Sequence, residues 1–77
     1  DAEVHTNAGR IDCVIDLAER TFLFEFKLNK SAAEALQQIK DHDYARKYRL
    51  AGKPITLIGA NFDTQTRTVI EWLAEEA

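Results

Sequence analysis

Apolar and polar residues alternate with a period of two in two stretches of the first third of the chain. From Arg10 to Leu17 the apolar positions are Ile11, Cys13, Ile15 and Leu17; from Phe22 to Leu28 they are Phe22, Phe24, Phe26 and Leu28. That rhythm predicts two strands, and aromatic and branched side chains suit a pleated surface. Ala18-Glu19-Arg20-Thr21 separates them as a hairpin loop. Upstream, Glu3-Val4-His5-Thr6 predicts a short strand, and Asn7-Ala8-Gly9 has turn chemistry.

The rhythm then lengthens to that of a helix. Ser31 with Glu34 three residues on forms a capping box, and Ala32, Ala35, Leu36 and Ile39 make one apolar stripe. The stripe loses phase where Asp43 and Arg46 occupy its continuation and Tyr44 and Tyr48 are rotated away. A break near His42-Asp43 is predicted, with Asp43 capping a second short helix through about Arg49. Ala51-Gly52-Lys53-Pro54 stops it. Ile55 to Ala60 is nearly continuous in apolar character, as in a strand buried on both faces. Thr68 to Leu73 gives a last strand after the turn Asp63-Thr64-Gln65-Thr66, with Ala74 to Ala77 expected to fray. The predicted fold is α/β, order β-β-β-α-β-β, with a mixed sheet and a main helix broken near His42-Asp43. Its single strand–helix–strand crossover makes Phe22–Leu28 and Ile55–Ala60 parallel neighbours.

Composition sets limits on this picture. Seventy-seven residues, 45% hydrophobic and 30% charged, describe one globular domain rather than a disordered tail. So small a core is marginal alone, which favours a homodimer or a neighbouring domain. No apolar run approaches the roughly 20 residues needed to span a bilayer, so no membrane partner is expected. Cys13 is the only cysteine; it cannot form an intrachain disulfide, is expected to be core packing, and fits a reducing, cytoplasmic compartment. The net charge of −3 argues mildly against a nucleic-acid binder, yet its distribution is uneven. Residues 40–53 carry Lys40, Arg46, Lys47, Arg49 and Lys53 against Asp41 and Asp43, and both flanking stretches are net acidic. This basic segment is either a solvated helix face or a weak phosphate-binding patch with Lys40, Arg46 and Lys47.

Candidate chemistry lies on the first two alternating strands. A pairing that keeps the apolar rows together sets Leu17 opposite Phe22, Ile15 opposite Phe24 and Cys13 opposite Phe26. It also sets Asp12 opposite Lys27 and Val14 opposite Glu25. Asp12 and Glu25 are then diagonal neighbours on the second face, roughly 7 Å apart at the backbone. Two such carboxylates can share Mg²⁺ or Mn²⁺, with the Phe26 carbonyl as a further oxygen ligand. A metal held there lowers the pKa of a bound water and neutralises charge on a scissile phosphate; Lys27 would orient the water or hold a phosphate oxygen. The simpler account is a polar strand face carrying cross-strand charge pairs, worth a few tenths of a kcal/mol each. Arg10 suits either a phosphate or an acidic neighbour. His5 has no partner at ligand spacing, a local ion pair accounts for His42, and Trp72 is expected to pack.

The runs Gly9-Arg10-Ile11-Asp12, Phe24-Glu25-Phe26-Lys27, Ala35-Leu36-Gln37-Gln38-Ile39 and Tyr44-Ala45 resemble the PD-(D/E)XK nuclease superfamily. More narrowly, they resemble the small predicted nuclease family often attached C-terminally to an AAA-ATPase-like domain. The likeness runs from about Glu3 to Trp72. It implies a restriction-endonuclease-like core and Mg²⁺-dependent hydrolysis of nucleic acid, DNA foremost. Asp12, Glu25 and Lys27 would be the catalytic set and Gln38 an accessory that positions water or DNA. It further implies that residues 1–77 are one domain of a longer protein, with an ATPase-like domain in the parent chain. The core helix that usually precedes the first strand has no counterpart before Glu3, which leaves one sheet face uncovered or covered by a partner. Gln38 and Tyr44 are six residues apart, where some superfamily members carry a Gln and Tyr four apart, so no catalytic role passes to Tyr44. The rival expectation is a catalytically idle nuclease-like module used for interaction or targeting.

Overall fold

A computed structural model describes the backbone of residues 3–5 and all of residues 12–77. The elements are β1 (Glu3–His5), β2 (Cys13–Asp16), β3 (Thr21–Leu28), α1 (Ala32–Asp41), a 3-10 helix (Arg46–Ala51), β4 (Ile55–Asp63) and β5 (Thr68–Glu76). The strands form one mixed sheet in the order β1-β2-β3-β4-β5. Of the described strands only β3 and β4 run parallel, and α1 is the crossover between them. The expected α/β order is therefore present. The turn at Asn7-Ala8-Gly9, the start of the second strand at Arg10 and Ile11, and the side chain of His5 lie outside the described residues.

Local chemistry fixes α1. Ser31 is its N-cap: the Glu34 amide donates to Ser31 Oγ at 3.0 Å, and the Ser31 hydroxyl donates to Glu34 Oε2 at 3.2 Å. Two further groups hold this end. The Ala32 amide donates to Glu71 Oε1 on β5 at 2.7 Å, and buried Asn61 on β4 bonds both the amide and the carbonyl of Lys30. Helix N-termini leave amides without partners; here strands from across the fold supply them.

α1 ends at Asp41 with His42 as its C-cap, and Asp43 adopts a left-handed φ of 49°. The break is thus where the pattern loses phase, but Asp43 caps no second helix. The chain continues instead into a 3-10 helix whose N-cap is Ala45, without a side-chain cap bond. The Asp43 carboxylate pairs with Arg49 at 2.9 Å. Gly52, at φ 73°, closes the turn. The last strand also runs further than the pattern predicts, because Thr56 to Ile58 of β4 pair with Glu76 to Ala74.

The core lies between α1 and one sheet face: Val14, Leu23, Leu36, Ile39, Ala45, Ile55 and Leu57, with Tyr44 and Tyr48 packed at its edge. The alternating row Phe22, Phe24, Phe26 and Leu28 is on the opposite face and only partly covered, with Phe26 at 44% and Leu28 at 60% exposure. Cys13 is half-buried on that same face rather than in the core. Trp72, expected to pack, is 65% exposed.

Candidate active site

β2 and β3 pair two residues away from the predicted register. Cys13 faces Phe24, Val14 faces Leu23, Ile15 faces Phe22 and Asp16 faces Thr21. The cause is the loop: Thr21 belongs to β3, and the turn closes through the Leu17 amide and the Arg20 carbonyl at 2.9 Å. A two-residue slip preserves which side chains share a face. It changes who is opposite whom. Asp12, the residue just before β2, is set beside Glu25 rather than opposite Lys27: the Phe26 amide donates to its carboxylate, and that carboxylate reaches the side chain of Glu25.

Glu25 is 2% exposed, an unusual place for a carboxylate. It sits there because Leu23, Glu25 and Lys27 share the face on which α1 packs. Gly59, its partner on β4, permits the close approach of the helix: a Cβ at Gly59 would lie 2.5 Å from the Ala32 carbonyl oxygen and from the Leu36 nitrogen. α1 consequently brings Gln38 down onto the strand. The Gln38 side-chain amide donates through Nε2 to Glu25 Oε2 and accepts at Oε1 from Lys27 Nζ. Asp12, more exposed, is anchored by the Phe26 amide, which donates to Asp12 Oδ2 at 2.7 Å.

Burial, foremost, and then the neighbouring Asp12 carboxylate push Glu25 from its ordinary 4.5 up to about 7, with Lys27 opposing. Its second oxygen, Oε1, is buried without a hydrogen-bond partner among the described residues. Two adjacent carboxylates, one with an unsatisfied buried oxygen, fit a hard divalent cation, which takes oxygen ligands and retains several waters. Among the described residues no cluster of three or more His, Cys, Asp or Glu is present, so water and main-chain oxygen would complete such a shell.

The structure thus brings Asp12, Glu25, Lys27, Gln38 and the Phe26 main chain together. It does not bring the basic segment to them. Lys40 pairs with Glu75 at 2.6 Å, Arg49 with Asp43 and Lys53 with Asp16 at 2.6 Å. Arg46 and Lys47 are exposed on the 3-10 helix, and the Lys47 ammonium lies 5.2 Å from the centre of the Tyr48 ring. Arg10 lies outside the described residues. His42 makes no ion pair among them; its ring lies 5.3 Å from that of Tyr44. Beside Lys27 and Gln38 an open groove of about 350 Å³ continues along α1, lined also by Lys30, Glu34, Gln37, Asp41 and His42. Asn61, Glu71 and Gly59 were not legible as site residues, although a glycine inside an apolar strand does signal close backbone approach.

Among known proteins, the family model described as the PD-(D/E)XK nuclease superfamily matches residues 1–72. An uncharacterized protein in the vnfD 5′ region of Azotobacter chroococcum mcd 1 is 43% identical over 72 residues. That match covers 91% of this chain and 14% of the relative, so the chain spans about one seventh of that protein's length. No solved structure matches.

Proposed function

This chain belongs to the PD-(D/E)XK nuclease superfamily, and on that premise we propose that it hydrolyses phosphodiester bonds of nucleic acid, DNA foremost, with Mg²⁺ or Mn²⁺. The observation that carries the reading is the buried Glu25 carboxylate, set beside Asp12, held by Gln38 and left with one unpartnered oxygen. Asp12 and Glu25 would hold the cation, with the Phe26 carbonyl as a third oxygen. When bound, the metal supplies an acidified water and charge neutralisation at phosphate.

The chain's own residues do the rest. Asp12 and Glu25 present their oxygens from a rigid strand pair, fixed by the Phe26 amide and the Gln38 side chain. Lys27 has three N–H donors, of which Gln38 occupies one; the others face a phosphate oxygen or the attacking water. Gln38 works as a positioning residue, because its carbonyl keeps the ammonium near, but not collapsed onto, Glu25. The parent protein's further domains, an ATPase-like one among them, belong to the same proposal.

The test is a titration of Mg²⁺ and Mn²⁺ followed at the backbone amides around Asp12 and Glu25, paired with a cleavage assay on single- and double-stranded DNA. Saturable shifts confined to these strands are expected. Lys27→Ala should lower cleavage by about 100-fold or more while metal affinity is kept. No response at millimolar metal would sink the nuclease reading and leave an idle interaction module.

A further inference from the structure

Lys30 lines the groove that opens beside Lys27 and Gln38, and its ammonium has no carboxylate partner among the described residues. Most other cations are engaged away from the groove. Arg20, Lys40, Arg49 and Lys53 form ion pairs, and Lys47 lies over the Tyr48 ring. Arg46 and Arg67 are exposed but do not line this groove. Of the described cations, only Lys27 and Lys30 do. The carboxylates on the groove wall are turned to their own helix. Glu34 accepts from the Ser31 hydroxyl at 3.2 Å, and Asp41 accepts from the Gln37 side-chain amide at 2.8 Å.

The backbone under Lys30 is fixed from the sheet. Asn61, 2% exposed, accepts from the Lys30 amide at 2.8 Å and donates to the Lys30 carbonyl at 3.0 Å. The same Asn61 is the cross-strand partner of Lys27. Next to Lys30, the Asn29 amide donates to the Phe62 carbonyl at 2.8 Å, and the Asn29 side chain exchanges two hydrogen bonds with Thr64. Surface connections are ordinarily mobile; this one is tied to β4 and to the turn that follows it. Three residues of chain span at most about 11 Å, so the second ammonium is held within short reach of the first. Such preorganisation reduces the entropy lost when a side chain engages a ligand.

We propose that Lys30 is a substrate-binding residue, its ammonium taking the phosphate that adjoins the scissile one on the same strand. The assignment rests on the phosphodiesterase reading of Asp12, Glu25 and Lys27. It sets the phosphate contact at the β3–α1 connection, away from the basic segment of residues 40–53. Lysine binds phosphate as a point charge, and contacts to phosphate carry no sequence information, so the grip is indifferent to sequence. Glu34 and Asp41 repel further phosphates, which limits the contact to one.

Fluorescence anisotropy of a labelled single-stranded DNA, over a salt series with Mg²⁺ and with chelator, tests this. Lys30→Ala removes an exposed side chain and should leave the circular-dichroism spectrum unchanged. It should weaken binding about 10-fold at low salt and make log affinity against log salt shallower by about 0.7. Lys30→Arg should restore both, and Lys47→Ala, on the 3-10 helix, should leave both near wild type. In cleavage, Lys30→Ala should raise KM and spare kcat. Wild-type affinity in Lys30→Ala, a loss no larger than that of Lys47→Ala, or no binding by the wild type overturns the proposal. DNA held through Lys30 but never cut would instead overturn the nuclease reading and leave this binding site standing.

Discussion

Burial and the Asp12 carboxylate lift Glu25 to about 7, so near neutrality this group exchanges its proton, and the fold depends on whether it does. In the unfolded chain the carboxyl returns to 4.5. Between those values the folded chain holds a proton that the unfolded chain has lost, and stability falls as pH rises. The contribution is complete below about 4.5 and is lost as pH rises through about 7, an effect on the order of 3 kcal/mol. Asp63 and Glu76 are shifted down, by the Thr66 and Arg20 side chains respectively. They act in the opposite sense, and only as pH falls below their ordinary 3.8 and 4.5. Urea unfolding in chelator should therefore show lower stability at about pH 8 than at about pH 5, and Glu25→Gln should flatten that slope. A bound cation needs the carboxylate, so Mg²⁺ affinity is expected to rise across the same interval. Gln38→Leu would leave Glu25 Oε2 without its donor, costing about 1–3 kcal/mol of stability. It would also reduce turnover more than metal affinity, a separation that calorimetry and single-turnover cleavage together would detect.

Among the elements, α1 decides the site, and its seat on the sheet depends on Gly59. Gly59→Ala brings a methyl to 2.5 Å from helix backbone at Ala32 and Leu36, atoms that yield only if the helix moves. The variant is expected to lose about 1–3 kcal/mol and to separate Gln38 from Glu25, visible as changed side-chain amide signals of Gln38. Ser31→Ala should cost about 1 kcal/mol through loss of the cap without that separation, so the two variants distinguish a weaker helix from a displaced one. The helix itself was legible: the Ser31–Glu34 box, the stripe from Ala32 to Ile39 and the break at His42-Asp43 all have local causes. So was the parallel pairing of β3 with β4, since one crossover permits little else. The hairpin register was not legible, because whether Thr21 belongs to loop or strand depends on its bonds to Pro54 and Asp16. The Thr21 amide donates to the Pro54 carbonyl at 3.0 Å, and its hydroxyl donates to Asp16 Oδ1 at 2.8 Å. Asp16 is the local half of that decision, but Pro54 lies in a distant part of the chain. Strand parity still placed Asp12, Glu25 and Lys27 on one face, since a slip of two leaves parity intact.

At the scale of the whole molecule, the densest apolar row is not the core. Phe22, Phe24 and Phe26 form one aromatic row along β3, and the Phe24 and Phe26 rings stack with centroids 6.2 Å apart. Yet among the described residues no helix covers their face. α1 packs on the opposite face, against Leu23 and Val14, each 0% exposed. The side on which the crossover helix lands is set by the handedness of the β3–α1–β4 unit, which alternation within one strand cannot reveal. The consequence is measurable with two truncations three residues apart. Leu23→Ala opens a cavity among α1, β2 and β4 and should cost about 2–5 kcal/mol. Phe26→Ala removes a larger side chain but one already 44% exposed; at about 25 cal/mol per Å² of apolar surface it should cost less than about 2 kcal/mol. Chemical denaturation of the two variants decides the matter, and a reversed order would place the core on the aromatic face. That order also bears on chemistry: the helix that buries Leu23 buries Glu25 two residues on, so the same packing that stabilises the sheet raises the proton affinity of the carboxylate proposed to hold the metal.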